Sequence, residues 1–290
     1  MLSGFDEFGS TGNDEFYKRL PFREFAQNKD GRVDLSTARS YLEASKSEWK
    51  LEATAAKAPV AAPAKPVVFV LGYGGNVGKS VAARFASQGY NVAVSSRSSV
   101  DGITPEGYLS IRLDLEHPLL VRAAFDTVVR KLGVPAVVVY NAAAFFTTPN
   151  NPLTLPISNF SATLNVNIVS PYAAAQAALS YHIPGAPLTF IFTGNALNTL
   201  VLPSLLALGV GKSGTLHWIK GAAKSYEAQG AQFYYADERT EDGNPVYMEV
   251  SGEAHADFYT DLAQRKDQGP VVATFVKGKG YVAFPSNLLE

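Results

Sequence analysis

The feature that most constrains this chain is an apolar run that ends in a glycine loop. Val67-Val68-Phe69-Val70-Leu71 leads directly into Gly72-Tyr73-Gly74-Gly75-Asn76-Val77-Gly78-Lys79-Ser80. Five successive apolar residues suit a strand buried on both faces. A helix-like stretch, Lys79 to Gln88, follows and is closed by Gly89. Glycines between a strand and a helix allow a tight turn and a close backbone approach to phosphate, whose charge is favoured at a helix N-terminus. A lone glycine turn would mean little, but its place after the first strand favours the phosphate role.

Strand and helix patterns alternate from there on. Strands are expected at Asn91–Ser95, Tyr108–Leu113, Ala136–Tyr140, Leu188–Phe192 and Gln232–Tyr235. Helices are expected at Pro118–Leu132, Ile157–Tyr181 and Lys212–Gln229. A polar loop through Asp242-Gly243 then leads to a helix at Glu253–Arg265 and strands at Val271–Val276 and Tyr281–Phe284. Alternation with near-continuous apolar strands implies an α/β domain, a doubly wound parallel sheet covered on both faces. The charged fraction, 18%, is below the roughly 25% typical of soluble domains and agrees with a large buried sheet.

The chain divides near residue 66. Ala53 to Pro66 reads as a semi-rigid Ala/Pro linker. Residues 1–66 form a short N-terminal extension with one expected helix, Ser36–Leu51, and residues 67–290 form the main domain. Asn28 to Asp34 imitates the middle of a calcium loop, but Ala26 and Thr37 stand where its end carboxylates belong. A turn into a helix is the better reading.

Other classes are disfavoured by composition. With no cysteine there are no disulfides, thiol nucleophiles or cysteine metal sites, and the four histidines lack metal-ligand spacing. A net charge of −1 argues against a globally basic nucleic-acid binder. The best apolar run, Leu200–Val210, is interrupted by Pro203 and falls short of the ~20 residues of a spanning helix. The acidic, glycine-containing first thirty residues fit neither a secretory signal nor a transit peptide. A cytoplasmic protein acting on a small-molecule substrate is expected.

Two phosphate binders compete for the loop. Its Gly-Lys-Ser ending suggests a nucleoside triphosphate loop, but the first glycine of that motif would fall at Tyr73. The dinucleotide reading gains support at the end of the second strand. There an NAD binder places an acidic residue, whereas this chain has Ser96-Arg97-Ser98. A carboxylate would repel a 2′-phosphate and a guanidinium flanked by hydroxyls would bind it. NADP(H) is therefore the expected cofactor, with Gly72, Gly74, Gly75, Asn76, Val77, Gly78, Ser96, Arg97 and Ser98 holding it.

From Val67 to about Ala236 the chain resembles the short-chain dehydrogenase/reductase family, and so a Rossmann fold. The family's three loop glycines fall at Gly72, Asn76 and Gly78, with the middle one replaced. Asp114-Leu115 looks like the pair that contacts adenine. Asn141-Ala142-Ala143-Ala144 looks like the segment lining the cofactor site. The resemblance places Asn167 as the family's structural and proton-relay asparagine, and Lys212 as its lysine, which holds the nicotinamide ribose. It also implies a homodimer or homotetramer.

The family's proton donors do not carry over. Its tyrosine stands four residues before the lysine, where this chain has Leu208, and its serine aligns with Gly194 in Phe192-Thr193-Gly194-Asn195. The chain looks closest to branches that end this strand in Thr-Gly and lack the tyrosine. Lys212, Thr193 and Asn195, with Asn167, are the candidate catalytic residues. Tyr172 and His217 are the weaker candidates, each better read as packing. A carbonyl or imine reductase with an atypical proton route is expected. The alternatives are a catalytically silent cofactor-binding protein and a non-redox catalyst that uses the cofactor as scaffold.

Overall fold

The computed structural model describes residues 65–284. The N-terminal helix, the calcium-like turn and most of the Ala/Pro linker lie outside the described residues. The described chain is an α/β domain built on a nine-stranded, mostly parallel sheet with helices on both faces.

The strands are β1 (Val67–Leu71), β2 (Asn91–Ser96), β3 (Gly102–Ile103), β4 (Leu109–Arg112), β5 (Pro135–Tyr140), β6 (Leu188–Thr193), β7 (Ala231–Arg239), β8 (Val272–Val276) and β9 (Gly280–Tyr281). Their spatial order is β3-β4-β2-β1-β5-β6-β7-β8-β9. The seven central strands pair in parallel, and only the short outer strands β3 and β9 run antiparallel to their neighbours. Because β1 lies between β2 and β5, the chain winds away from it in both directions. The carboxyl ends of these strands form the crevice where open α/β sheets bind ligands.

The helices are α1 (Val77–Ser87), α2 (Leu120–Leu132), α3 (Ile157–Leu164), α4 (Ser170–Tyr181), α5 (Leu206–Tyr226) and α6 (Gly252–Ala263). On one face of the sheet, Phe69, Tyr140, Phe190 and Phe233 pack with Phe125 of α2 and with Leu216 and Ile219 of α5. On the other, Val68, Val70, Ile191 and Tyr234 meet Val81 and Phe85 of α1 and Phe258 and Tyr259 of α6. Phe125 meets Phe69 edge-on at 5.1 Å between ring centroids, a preferred aromatic geometry. Arg84 of α1 and Asp257 of α6 form an ion pair at the surface.

Three elements depart from expectation, and each bears on the site. The helix expected over Ile157–Tyr181 is interrupted by a π-helical turn, Asn165–Val169, with Asn167 in it. Insertions of this kind cluster at functional sites. Next, α5 begins at Leu206, so Lys212 lies in its second turn instead of opening it. Of the glycines in this helix, Gly211 and Gly214 are packing sites. A Cβ on Gly211 would come within 2.6 Å of Asn167 Cβ, and one on Gly214 within 2.9 Å of Ile168 Cδ1. Close approach of α5 to the π turn thus requires glycine. Finally, β7 continues through Asp237, Glu238 and Arg239, all buried and paired along β8. Burial of such charges is tolerable only when they are paired, and Arg239 Nε donates to Asp237 Oδ2 at 2.7 Å.

Candidate functional site

The glycine loop is fixed by backbone contacts. Gly72 and Tyr73 both donate to the carbonyl of Ser95 on β2, at 3.0 and 2.8 Å. Gly72 has φ +95°, and a Cβ there would lie 2.8 Å from Ala142 Cα. Asn141 Nδ2 donates to the Gly72 carbonyl at 2.9 Å. The β1 and β5 ends are thereby locked together, with Ala142 partly exposed and Ala143 exposed beside them. A Cβ on Gly78 would strike the Gly72 carbonyl at 2.6 Å, so this glycine lets α1 start against the strand.

Gly74 and Gly75 differ, because a Cβ on either meets nothing within 4 Å. The amides of Gly75, Asn76, Val77 and Gly78 find no backbone acceptor among the described residues. Free amides at the start of an eleven-residue helix make an anion cradle. Asn76, at the replaced glycine, turns its side chain away. Its Nδ2 donates to Val250 O at 2.8 Å and its Oδ1 accepts from Gly252 N at 3.0 Å. Expectation assigned Asn76 to the cofactor, but its side chain clamps the loop to the start of α6 and only its amide faces the cradle. Asn76→Ala is expected to lower stability by about 1–3 kcal/mol for two lost hydrogen bonds, measured by urea unfolding.

At the end of β2, Arg97 and Ser98 are exposed and Ser96 is half-buried. The Ser96 hydroxyl lies 2.8 Å from that of Ser99 and 3.4 Å from that of Ser98. No hydrogen bond or ion pair engages the Arg97 guanidinium among the described residues. Asp114 uses Oδ1 in a local turn, accepting from Glu116 N at 3.0 Å. Leu115 is buried, and its carbonyl accepts from Ser170 of α4.

Lys212 is buried. Its Nζ donates to the Thr193 carbonyl at 2.8 Å and lies 4.5 Å from the Phe192 ring centroid. Burial pulls its pKa down to about 8, against the opposing influence of the Asp237 carboxylate. Below pH 8 both the folded and the unfolded lysine carry the proton, and the folded state bears a burial cost of about 3 kcal/mol. Between pH 8 and 10.5 the unfolded chain binds more protons, so this contribution should make stability rise with pH. Denaturant midpoints across that range, compared with those of Lys212→Met, isolate the effect.

Asn167 is fully buried. Its Nδ2 donates to Ala144 O and Thr163 O at 2.6 and 2.8 Å, while its Oδ1 has no partner. Thr193 is held twice, through its carbonyl by Lys212 and through Oγ1 by the Tyr259 hydroxyl at 2.8 Å. Asn195 uses Oδ1 to cap the short turn after β6, accepting from Leu197 N at 3.0 Å. That occupies the carbonyl end of its side chain.

Tyr235 accounts for the glycine at position 194. It is fully buried on β7, beside β6. Its hydroxyl donates to Asn195 O at 2.7 Å and accepts from Asn195 N at 3.1 Å. A Cβ on Gly194 would overlap the edge of its ring. Tyr235 is therefore a core residue that fills the space a side chain at 194 would need. Tyr172 is half-exposed against Trp218, and His217 is exposed instead of packing or capping.

Sequence reasoning missed Tyr235 and Tyr259 as members of this site. Their roles depend on strand register and helix placement, and the only local signal was a glycine where a serine was expected. Among the described residues no group of histidine, aspartate and glutamate could hold a metal ion, and no helix is long and apolar enough to cross a membrane.

Comparison with known proteins adds an independent line. The family model described as enoyl-(acyl carrier protein) reductase matches residues 74–235, more than half of the chain. A relative from Cryptosporiopsis, short chain dehydrogenase/reductase dmxR12, is 39% identical over 77% of this chain and 96% of its own length. Two solved structures share the fold. A metagenomic short-chain oxidoreductase in complex with NADP superposes with TM-score 0.63 at 19% identity, covering 73% of this chain and 96% of its own. A Burkholderia cenocepacia short chain dehydrogenase in complex with NADP gives TM-score 0.60 at 21% identity, covering 74% and 97%.

Proposed function

The chain belongs to the short-chain dehydrogenase/reductase family of oxidoreductases, and from that premise we propose that it is an NADP(H)-dependent reductase of a carbonyl or imine in a small organic substrate, of a branch without the usual tyrosine and serine. The observation that carries this reading is Lys212, an ammonium buried at the carboxyl end of the sheet and fixed to Thr193.

The residues present fit the cofactor. The open space over Gly74 and Gly75 and the free amides beyond them suit a pyrophosphate. Arg97, with Ser96 and Ser98, suits a 2′-phosphate. Asn141, Ala142 and Ala143 line the approach between the two strand ends, and Asp114 and Leu115 border the adenine side. Lys212 suits the nicotinamide ribose. When bound, NADPH supplies a hydride.

The chain's own groups supply orientation and a proton. The Thr193 hydroxyl and Asn195 Nδ2 hold the substrate oxygen or nitrogen, and the Lys212 ammonium gives up its proton as the substrate is reduced. The unpartnered Oδ1 of Asn167 suits a water that returns a proton to Lys212. With a pKa of about 8, Lys212 is a far better acid at neutral pH than an ordinary lysine, and a catalytic acid works best when its pKa lies near the operating pH. The same replacements at 194 and 208 favour one rival, a protein that binds NADP(H) and turns nothing over.

Titration with NADPH and NADH, then NADPH oxidation with a panel of ketones and imines, separates the two. We expect NADPH to bind more tightly than NADH and to be oxidised by at least one class of substrate. Binding without turnover would establish the silent reading, and no dinucleotide binding would sink both. The pH profile carries a further prediction. At saturating NADPH the rate should fall above pH 8 as Lys212 loses its proton, whereas an ordinary lysine would sustain it to about 10.4.

A further inference from the structure

Tyr259 lies on α6, outside every motif that marks the site, yet its hydroxyl ends on Thr193 Oγ1. The polarity of this hydrogen bond is determined by what surrounds it. Tyr259 is fully buried, and among the described residues its hydroxyl has no other acceptor. If Thr193 were the donor, the phenolic proton would be left buried and unpaired, which is strongly disfavoured. Tyr259 therefore donates and Thr193 accepts. Burial also keeps the phenol protonated, raising its pKa far above the usual value.

Thr193 is half-exposed at the carboxyl end of β6, and no acceptor among the described residues takes its hydroxyl hydrogen. Its carbonyl is already held by Lys212. We propose that Tyr259 is a positioning residue, which occupies the acceptor side of Thr193 Oγ1 and so presents the Thr193 hydroxyl as a hydrogen-bond donor to the substrate oxygen or nitrogen. The pair replaces a serine that Tyr235 leaves no room for. This inference rests on the reductase reading for its catalytic meaning, whereas the hydrogen-bond polarity stands on the structure alone.

The test has two arms. In the first, Tyr259→Phe should lower kcat about 10-fold, the worth of one oriented hydrogen bond, with NADPH affinity within about twofold of wild type. In a Thr193→Val background the same change should have no further effect, and Thr193→Ser should retain activity. An equal loss in both backgrounds, or no loss in either, would overturn the proposal. The second arm needs no turnover. The Tyr259 hydroxyl proton should appear by NMR as a slowly exchanging resonance that shifts in Thr193→Val and persists in Thr193→Ser. Absence of that proton, or indifference to Thr193→Val, overturns the inference even in an active enzyme. If NADPH binds without turnover, the reductase reading fails by itself while this arm still decides the hydrogen bond.

Discussion

Gly194→Ser, which places a serine where the family resemblance aligns one, is expected to destabilise the protein and to abolish any gain from the new hydroxyl. The added Cβ overlaps the edge of the Tyr235 ring and lies 2.6 Å from its Cζ. That ring cannot swing aside freely. It is fully buried, tilted against Phe192 at 5.6 Å between centroids, and held through its hydroxyl by both backbone groups of Asn195. Overpacking typically costs about 1–3 kcal/mol. Displacing the phenol also strands the Asn195 amide and carbonyl, at about 1–3 kcal/mol for each group left unsatisfied. A loss of at least about 3 kcal/mol follows. That corresponds to a Tm lower by about 10 °C in a domain of this size. A Gly194→Ser protein with the wild-type Tm would show that Tyr235 does not block the position.

Arg97→Glu should weaken NADPH binding by at least about 10²-fold while leaving stability unchanged. The guanidinium is exposed and makes no hydrogen bond or ion pair among the described residues, so no internal contact is lost. A charge-assisted bond is worth about 1.5–3 kcal/mol. Reversing the charge replaces that attraction with repulsion of a phosphate carrying up to two negative charges. NADH, which lacks the 2′-phosphate, should bind the variant as well as it binds wild type. Fluorescence titration of both dinucleotides gives the ratio directly. Equal weakening of NADPH and NADH would assign Arg97 a general rather than a phosphate-specific role.

Much of the fold was legible because strand and helix patterns are local. The apolar runs at β1, β5 and β6 alternate with amphipathic stretches, and the glycine loop falls where such a sheet binds ligands. The misreadings arose where distant contacts override local propensity. The helix expected to open at Lys212 begins at Leu206 and runs through Gly209 and Gly211, with the Asn167 turn packed directly against Gly211. The strand expected to end at Tyr235 runs on through Asp237, Glu238 and Arg239, because β8 pairs with them, Arg239 pairs with Asp237, and Glu238 accepts from Ser251 N. The π turn at Asn165–Val169 leaves no mark in a period of 3.6 residues.

The division within the site has the same origin. Loop chemistry, the guanidinium at position 97 and the lysine at position 212 can be read from the sequence alone. They are picked out by residue type and order along the chain, and parallel α/β winding brings strand ends together in a predictable way. Only the tertiary structure decides why no serine can stand at 194, where the Asn76 side chain goes, and that Tyr259 reaches Thr193. Each of those depends on two residues 40 or more positions apart meeting at van der Waals or hydrogen-bond distance. Strand register and helix docking set such distances, and neither is encoded within the reach of a local pattern.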